Sequence, residues 1–467
     1  MTSQELLQLS KPQLVQIILQ QQAAILQQQN LIAELQARLA ELEALVKRLT
    51  QPPKDASNSS TPPSKTRKPN RPESQPKQKR GPQPGHEGRS RQRHEPDTVV
   101  ECRPTICDQC GGPLPPAAGR LLGASQVVEL PPVRPVVIQA RRYQATCPRC
   151  GHQQAGQYPP GLEPQRVFGP HLEALVCYFH HVQHVSYERL AGLLAALFGL
   201  ALSQGAIANI IARAAVRLQP EAEAILEQVR TSPVIGSDET GARVEGKNQW
   251  QWVFETPQAS YHVIASSRAA QVIQAVMGEA APEVWLSDCF SAQLQASAKA
   301  RQLCHAHQLR DLQYAVDAER SAYAYRMQRL LLRAQRLAQH RAELPPEVFA
   351  GEVAQIEHTC NQVLSTPARG RHARRLQKRY RKHREALFTF LYRADVPPDN
   401  NACERALRKS VIHRKVSGGF RSQWGAAAFA TMATVIETAR KHNQDALSAL
   451  ASHLAPGPPL LALPQPP

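Results

Sequence analysis

Residues 233–288 decide the fold of this chain. They begin with Pro-Val-Ile-Gly-Ser-Asp at 233–238 and end with Val-Trp-Leu-Ser-Asp at 284–288. Between them lie two runs of alternating polarity, residues 249–254 and 261–264, and an apolar-periodic segment, residues 269–277. Alternating and short apolar runs predict strands, and the 3.6-residue period predicts a helix. We therefore expect three strands, a helix and a fourth strand.

The first and fourth predicted strands end on the acids Asp238 and Asp288. This element order is that of a ribonuclease-H-like α/β core, in which strands one and four are neighbours, so the two carboxylates would meet. A third acid, Glu404, lies on a predicted helix. Three converging carboxylates suit a pair of divalent ions about 3.5–4 Å apart, the arrangement with which enzymes cut and rejoin phosphodiester backbones.

Each acid also has a structural interpretation. Asp238 or Asp288 could cap the turn that follows its strand. Glu404 could be the N3 residue of a capping box that begins at Asn401, or could pair with Arg408 one turn on. Taken singly, these interpretations are favoured, whereas the order of the three acids on strand, strand and helix favours a metal site.

Composition indicates a DNA-binding protein. The chain has 467 residues, of which 42% are hydrophobic, and a formal net charge of +18. This length allows two to four domains, and a strong positive charge favours a polyanionic partner such as DNA. No apolar run reaches the ~18 residues of a membrane span, and the polar start is not a signal peptide. We expect a soluble cytoplasmic, nucleoid-associated protein without membrane contact, whose ten cysteines form no disulfide framework.

Residues 1–50 have an apolar repeat that is typical of a coiled coil. A coiled coil would join protomers into a homodimer or a larger assembly, and the alternative is an amphipathic helix packed on its own chain. The seam consists of Leu7, Leu14, Ile18, Ile25, Ile32, Leu35, Leu39, Leu42, Val46 and Leu49.

Residues 51–95 form a basic linker that is too polar to fold. It contains eleven Lys or Arg against four acids. It could be a solvated spacer or an arm that lies along phosphates, and both can hold at once.

Residues 96–155 contain two Cys-x-x-Cys knuckles, Cys107 with Cys110 and Cys147 with Cys150. Two knuckles around a strand-like stretch, Val127–Leu130 and Val136–Ile138, predict a zinc ribbon with four thiolates on one structural Zn²⁺. The alternatives are two unrelated cysteine turns, or the replacement of one ligand by Cys102 or His152.

Residues 156–230 are predicted to be helical, with segments at 171–182, 187–198 and 204–211. The joint at 199–203, with Ser203 as N-cap, is typical of a helix-turn-helix, whose second helix enters a major groove. Gln204 and Asn209 are its candidate base contacts. A plain helical bundle is the alternative.

The chain resembles the transposases of the insertion-sequence-66 group almost from end to end. The resemblance is carried by the two cysteine knuckles and by the following motifs: Asn-Ser-Ser-Thr-Pro-Pro-Ser at 58–64, Gln-Pro-Gly-His-Glu-Gly at 83–88, Asp-Glu-Thr-Gly at 238–241, Cys-His-Ala-His at 304–307, Asn-Asn-Ala-Cys-Glu-Arg-Ala-Leu-Arg at 400–408, Arg-Lys at 414–415 and Thr-Ala-Arg at 438–440. The resemblance implies an Asp-Asp-Glu transposase with Asp238, Asp288 and Glu404 as its catalytic, Mg²⁺-binding or Mn²⁺-binding carboxylates. Cys304 and His307 have ligand-like spacing, but a core or DNA-facing role is equally compatible with two residues alone.

The expected fold is a multidomain α+β protein. A catalytic core at 231–307 and 396–450 would be interrupted by a helical insertion at 308–395, and a Pro-rich tail would occupy 451–467. Basic side chains in the insertion and beside Glu404 are the expected phosphate contacts. They are Arg374, Arg375, Lys378, Arg379, Arg405, Arg408, Arg414 and Lys415.

The sequence thus predicts a transposase that binds the ends of a mobile element and, with two metal ions, cleaves and transfers DNA strands. Accessory proteins of the same element are possible partners. Two alternatives stay open: an element-derived DNA-binding protein that does not cut, and a zinc-ribbon transcription factor, which leaves the acids on the strands unexplained.

Overall fold

The computed structural model describes residues 10–50, 93–116, 119–131, 133–159, 161–164 and 167–455. Nearly all of the predicted linker at 51–95 and most of the predicted tail at 451–467 lie outside these residues. Among the described residues after the first helix, 93–211 belong to one compact unit and 212–455 to a second. Each unit is described by itself.

Helix α1, Lys11–Thr50, covers most of the predicted coiled coil. Its seam is open to solvent, since Ile18, Ile25, Leu35 and Leu39 are each more than half exposed. A 40-residue helix with an exposed apolar stripe lacks the packing from which most helices gain their stability.

The two cysteine knuckles have matching backbone turns. Gly111 N–H donates to Cys107 O and Gly151 N–H donates to Cys147 O, each at 2.9 Å, and both glycines have positive φ. Strands β1, Gln144–Thr146, and β2, Gln153–Ala155, pair antiparallel around the second knuckle. The predicted strands at 127–130 and 136–138 are wrong: these residues are irregular and mostly exposed because the described residues supply no strand to pair with them.

The predicted helices that follow are confirmed. They are α2, Pro170–Cys177; α3, Tyr187–Phe198; and α4, Gln204–Arg230. Helix α2 continues into a π-helical turn, Tyr178–Val182. Helix α3 ends at Gly199 in the left-handed conformation (φ 65°). The Ser203 hydroxyl accepts a hydrogen bond from Ala206 N–H at 3.1 Å, which confirms Ser203 as the N-cap. Helix α4 contains the predicted segment at 204–211 and continues to Arg230, the end of the predicted helical domain.

The second unit is built on a five-stranded sheet: β3, Val234–Val244; β4, Lys247–Glu255; β5, Ser260–Ala265; β6, Val284–Ser287; and β7, Ala300–Leu303. Its order is β5-β4-β3-β6-β7. The first three strands form an antiparallel meander, and β6 lies parallel to both β3 and β7. Helix α5, Ala270–Met277, links β5 to β6. The predicted adjacency of the first and fourth strands is therefore present.

Two features of the sheet differ from the sequence prediction. Strand β3 does not end at Asp238 but runs on to Val244, because residues 239–244 pair with β4 through a tight turn at Glu245 and Gly246, both with positive φ. Strand β7 was not predicted, because its four residues, Ala-Arg-Gln-Leu, do not alternate in polarity.

Residues 305–392 are mostly helical, as predicted for the insertion at 308–395. The helices are α6, His305–Glu319; α7, Ala322–Gln339; α8, Pro346–Ser365; α9, Arg371–Lys382; and α10, Thr389–Tyr392. Their buried faces join one apolar cluster that includes Met327, Ile356 and Tyr380 and reaches the sheet at Val234, Val284 and Leu303. The insertion thus packs on the sheet rather than folding on a separate core.

Three helices complete the unit: α11, Asn401–Ser417; α12, Gln423–Lys441; and α13, Ala446–Leu454. Helix α12 covers β5, where the hydroxyls of Thr434 and Thr438 accept hydrogen bonds from the backbone N–H groups of His262 and Ser260. Among the described residues, no helix is both long and apolar enough to cross a membrane.

Candidate active site

Asp238 lies within β3, and Asp288 directly follows the last residue of the neighbouring strand β6. Gly236 on β3 pairs with Leu286 on β6, and each acid follows its member of that pair by two residues. Side chains two residues apart on a strand share a face, so the register brings both carboxylates to the same side of neighbouring strands.

Asp238 is half-buried beside other acids. Burial raises its pKa well above the usual range, and the negative charges of Asp288, Glu239 and, more weakly, Glu404 raise it further. Glu239 N–H donates to Asp238 Oδ1 at 2.9 Å and partly offsets this effect. A cation placed among these groups would relieve both the burial and the repulsion.

Asp288 is held by the turn after β6. Phe290 N–H donates to Asp288 Oδ1 at 2.8 Å, so the turn-capping role foreseen for this acid is present. One carboxylate oxygen can accept that bond while the other stays available, so capping and metal binding do not exclude each other.

Helix α11 is pinned against β3, which places Glu404 near the strand acids. Asn400, its N-cap residue, donates from Nδ2 to Ser237 O at 2.8 Å. The approach is so close that a Cβ added to Gly236 would lie 2.7 Å from Asn400 Oδ1 and 3.2 Å from Cys403 Sγ. Only glycine at residue 236 allows this contact.

The Glu404 carboxylate is engaged by helix α6. Arg310 Nη2 donates to Glu404 Oε1 at 2.8 Å, and His307 Nε2 lies 3.7 Å from the same oxygen. The predicted capping box is wrong, because Asn400 rather than Asn401 is the N-cap and no side-chain cap bond forms. The half-buried ion pair with Arg310 takes the place of that contact.

Cys304 is the buried link between these elements. It follows β7 directly, and its Sγ accepts Asn400 N–H at 3.1 Å and lies 3.3 Å from His307 Nδ1. Burial raises the pKa of the Cys304 thiol to about 12. The structure therefore favours a core role for Cys304 over metal ligation, and His307 is oriented by it towards Glu404.

A second acid next to Asp238 is satisfied by its own partners. Glu239 Oε1 accepts from Arg268 Nη2 at 2.7 Å, and Glu239 Oε2 accepts from Gln293 Nε2 at 2.8 Å. The Arg268 guanidinium also lies over the Phe290 ring, 4.0 Å from its centroid. These contacts brace the segment that contains Asp288.

Sequence reasoning missed three residues of this site: Glu239, Arg310 and Asn400. Glu239 is adjacent to Asp238, and Arg310 is three residues after His307, on the same helix face. Those spacings were visible, but nothing in the sequence indicated which acid Arg310 would meet.

The three acids are close enough for their charges to interact but do not form a finished coordination shell. Within the described ranges, no three His, Cys, Asp or Glu side chains are arranged to hold a metal ion. Hard carboxylate oxygens fit Mg²⁺ or Mn²⁺ chemically, and Glu404 is turned to Arg310 instead.

Family comparison decides what this unit is. Residues 165–428, more than half of the chain, match the model described as "Transposase IS66 family". The chain belongs to this family. Residues 104–151 also match the zinc-finger binding domain of transposase IS66. A search of curated proteins found no significant match.

Family membership makes the chain an IS66 transposase, which implies nuclease or transferase activity on DNA in general. The zinc-finger match includes all four predicted ligands, which supports a structural zinc. Backbone N–H groups of Cys110 and Gln109 lower the pKa of Cys107, and those of Arg149 and Cys150 lower the pKa of Cys147. Each pair forms a knuckle, but the two pairs do not converge on one point in this structure.

The predicted DNA contacts of this IS66 transposase fall into two groups. Most are exposed and available to a ligand: Gln204, Asn209, Arg374, Arg375, Lys378, Arg405, Arg408 and Lys415. Two are engaged within the chain. Arg379 Nη1 pairs with Asp311 Oδ2 at 2.7 Å, and Arg414 Nη1 donates to Gly241 O.

Proposed function

We propose that this IS66 transposase cuts and joins DNA in a ribonuclease-H-like core, with Asp238, Asp288 and Glu404 as its three catalytic carboxylates. One observation carries the proposal: Asp238 on β3 and Asp288 directly after β6 stand on neighbouring parallel strands, and Asn400 pins the helix of Glu404 to β3. The sheet order and the helix that carries the third acid both support this assignment.

The residues fit two Mg²⁺ or Mn²⁺ ions in their donor chemistry. All three proposed ligands are carboxylates, and Asp238 is half-buried among like charges that a cation would neutralise. When bound, such a pair supplies Lewis-acid activation of a water or of a 3′-hydroxyl. Cleavage by water would leave a 3′-hydroxyl on the element end, which then attacks a phosphodiester of the target and displaces its 3′ oxygen, without a covalent enzyme intermediate.

The chain's own residues orient these carboxylates. Glu239 N–H donates to one oxygen of Asp238, and Phe290 N–H donates to one oxygen of Asp288. The ion pair between Arg268 and Glu239 and the contact of Arg268 with the Phe290 ring brace the turn that contains Asp288. Glu404 Oε1 accepts from Arg310, so Glu404 would join the strand acids either through its second oxygen or by releasing Arg310.

Exposed basic side chains around the core are proposed to hold the DNA backbone. On α11, Arg405, Arg408 and Lys415 follow Glu404 on the solvent side. On α9, Arg374, Arg375 and Lys378 form the exposed face of a helix whose described side chains include no acid. We leave Arg379 and Arg414 out of this set because their guanidinium groups are occupied within the chain.

The remaining segments are proposed to serve end binding and assembly. Cys107, Cys110, Cys147 and Cys150 would close on one structural Zn²⁺, and Gln204 and Asn209 at the start of α4 would face the bases of the element ends. The exposed seam of α1 would pair two protomers. Accessory proteins of the element would complete the complex.

Strand cleavage tests the central proposal. Full-length protein, with Mg²⁺ and the terminal repeats of its element, is expected to nick the repeat ends. Asp238→Ala and Glu404→Ala should each reduce cleavage by at least about 100-fold. Asp317→Ala, which removes an exposed acid of α6, is the matched control and should cut normally. Cleavage that persists in both active-site variants would refute the carboxylate assignment, and a wild type that binds but never cuts, with accessory proteins supplied, would indicate a DNA-binding protein.

Metal analysis tests the zinc site. One Zn²⁺ per purified chain is expected, and Cys107→Ser with Cys147→Ser should abolish it. Cys102→Ser is the control, since Cys102 is exposed and belongs to neither knuckle. Loss of zinc in the Cys102 variant would contradict the four-ligand assignment.

A further inference from the structure

A concave surface of the helical insertion is lined by arginines that the proposed chemistry does not use. Helix α7 presents Arg326, Arg329, Arg333 and Arg336 along one wall of a cavity of about 510 Å³ between α7 and α8. Their spacing of three, four and three residues places all four on one helix face. Helix α8 and the residue that follows it form the opposite wall, with the polar side chains Thr359, Gln362 and Thr366.

Three of these arginines carry uncompensated charge. Arg333 pairs with Glu352 of α8 at 2.8 Å. Arg326, Arg329 and Arg336 are exposed, and within the described part of the chain their guanidinium groups make no hydrogen bond or ion pair. Helix α7 contains no acidic residue. The wall therefore has a net positive charge that no side chain of its own helix offsets.

The shape of the surface separates it from an ordinary solvated helix face. A solvated face is convex, whereas these guanidinium groups surround a groove with the buried Leu330 and Val363 at its base. The hydroxyls of Thr359 and Thr366 donate to the backbone carbonyls of Gln355 and Gln362, so the arginines supply the charged donors of the groove. Arginine presents a planar fork of donors that suits phosphate oxygens, and the groove contains four arginines and no lysine.

We infer that this groove, here named the α7–α8 groove, binds the phosphate backbone of duplex DNA. Ten residues separate Arg326 from Arg336, which is about 15 Å along a helix. Successive phosphates of one strand advance about 3.4 Å along the duplex axis, so the row matches roughly four of them. The inference rests on the proposed function in taking DNA as the ligand, and it adds a binding surface made of residues outside the proposed catalytic and DNA-contacting set.

The salt dependence of DNA binding tests the inference. Full-length protein with Asp238→Ala, which prevents cutting, is titrated with a fluorescent 30-bp duplex at several salt concentrations. The added pair Arg326→Ala/Arg329→Ala should weaken binding about tenfold and reduce the slope of log K against log salt by about 1.8, which corresponds to two lost phosphate contacts. Arg326→Lys/Arg329→Lys should keep most of the slope.

The matched control is Lys299→Ala/Arg393→Ala. It also removes two positive charges, from side chains that pair with Glu283 at the start of β6. This control should keep the slope and the affinity. An equal loss of DNA affinity in both double variants would show that only the net charge matters, and would overturn the inference.

Two further outcomes would also overturn it. The arginine pair could leave the slope unchanged, or it could spare DNA binding and abolish the binding of inorganic pyrophosphate, which would make the groove a small-anion site. Failure of the proposed function is distinguishable, because it appears as cutting by the Asp238→Ala protein, whereas the groove is judged on binding alone.

Discussion

Arg310 and Glu404 form an ion pair 2.8 Å long between helices α6 and α11. Both side chains are about one quarter to one third exposed, so the pair is partly shielded from water. It holds the only acid of the proposed triad that lies on a helix. The pair therefore competes with any cation for the same carboxylate.

Removing this competitor should strengthen metal binding. We expect Arg310→Gln to raise the affinity for Mn²⁺ about three- to tenfold, since a charge-assisted hydrogen bond is worth about 1.5–3 kcal/mol and partial exposure reduces that value. Isothermal titration of the full-length protein measures the change. Arg333→Gln is the control, because Arg333 pairs with Glu352 of α8 and with no acid of the proposed site. Weaker Mn²⁺ binding by Arg310→Gln would show that Arg310 orients Glu404 for the metal instead of competing with it.

Gly236 sets the distance between β3 and α11. Gly236→Ala should destabilise the unit by about 1–3 kcal/mol, because its Cβ would lie 2.7 Å from Asn400 Oδ1 and the helix would have to move. Urea unfolding gives the stability, and cleavage should fall further than the folded fraction because Glu404 moves with the helix. Gly241→Ala on the same strand is the control, since its Cβ meets only an ordinary contact at 3.4 Å. Equal effects of the two substitutions would argue against a specific role for Gly236.

Gly370 and Glu319 together begin helix α9. The Glu319 carboxylate accepts His372 N–H at 2.8 Å and Ala373 N–H at 3.1 Å, and Gly370 has φ 91° directly beneath it. Gly370→Ala should cost about 2–4 kcal/mol of unfolding free energy, from backbone strain and the displaced cap.

The control for this change is Gly351→Ala in the exposed interior of α8. Its Cβ meets no atom within 4 Å, so the substitution should stabilise the helix by about 0.5–1 kcal/mol. A neutral Gly370→Ala would mean that α9 does not depend on the Glu319 cap. Thermal and urea unfolding of both variants measure the difference.

Acid should destabilise the sheet through His262. Its ring is buried between Gln251 and Ser260, and burial, reinforced by the charge of Lys441, lowers its pKa to about 3. The folded state keeps this ring neutral while the unfolded chain takes up a proton near pH 6.5. The stability is therefore fully present above about pH 6.5 and is lost as the pH falls towards 3, by about 1.4 kcal/mol per pH unit.

Urea unfolding at pH 7 and pH 5 measures this loss, with about 2 kcal/mol expected from His262. His262→Gln should remove that part of the pH dependence at some cost in stability at pH 7. His305 is also buried, and burial lowers its pKa to about 4. We expect His305 to account for the pH dependence that remains in the His262→Gln variant. A variant with the full wild-type pH dependence would contradict the assignment.

The sequence alone determined the local elements and the identity of the family. The spacing of apolar residues predicted α1 to α4 and most strands of the sheet. Apolar residues recur about every 3.6 positions in a helix and every second position in a strand, and both patterns are visible in the sequence. The motifs at 238–241 and 400–408 identified the group to which the family match assigns the chain. Segments without a partner were predicted less well: residues 127–130 look like a strand, yet nothing in the described chain pairs with them.

Only the tertiary structure decided how distant residues meet. It showed β3 passing through Asp238 to Val244, added β7, and placed Arg310 rather than a capping box on Glu404. It also grouped the arginines of α7 into a groove with α8. The physical reason is that local propensity depends on a few neighbouring residues, whereas an ion pair or a groove depends on which side chains approach after the sheet and the helices have packed.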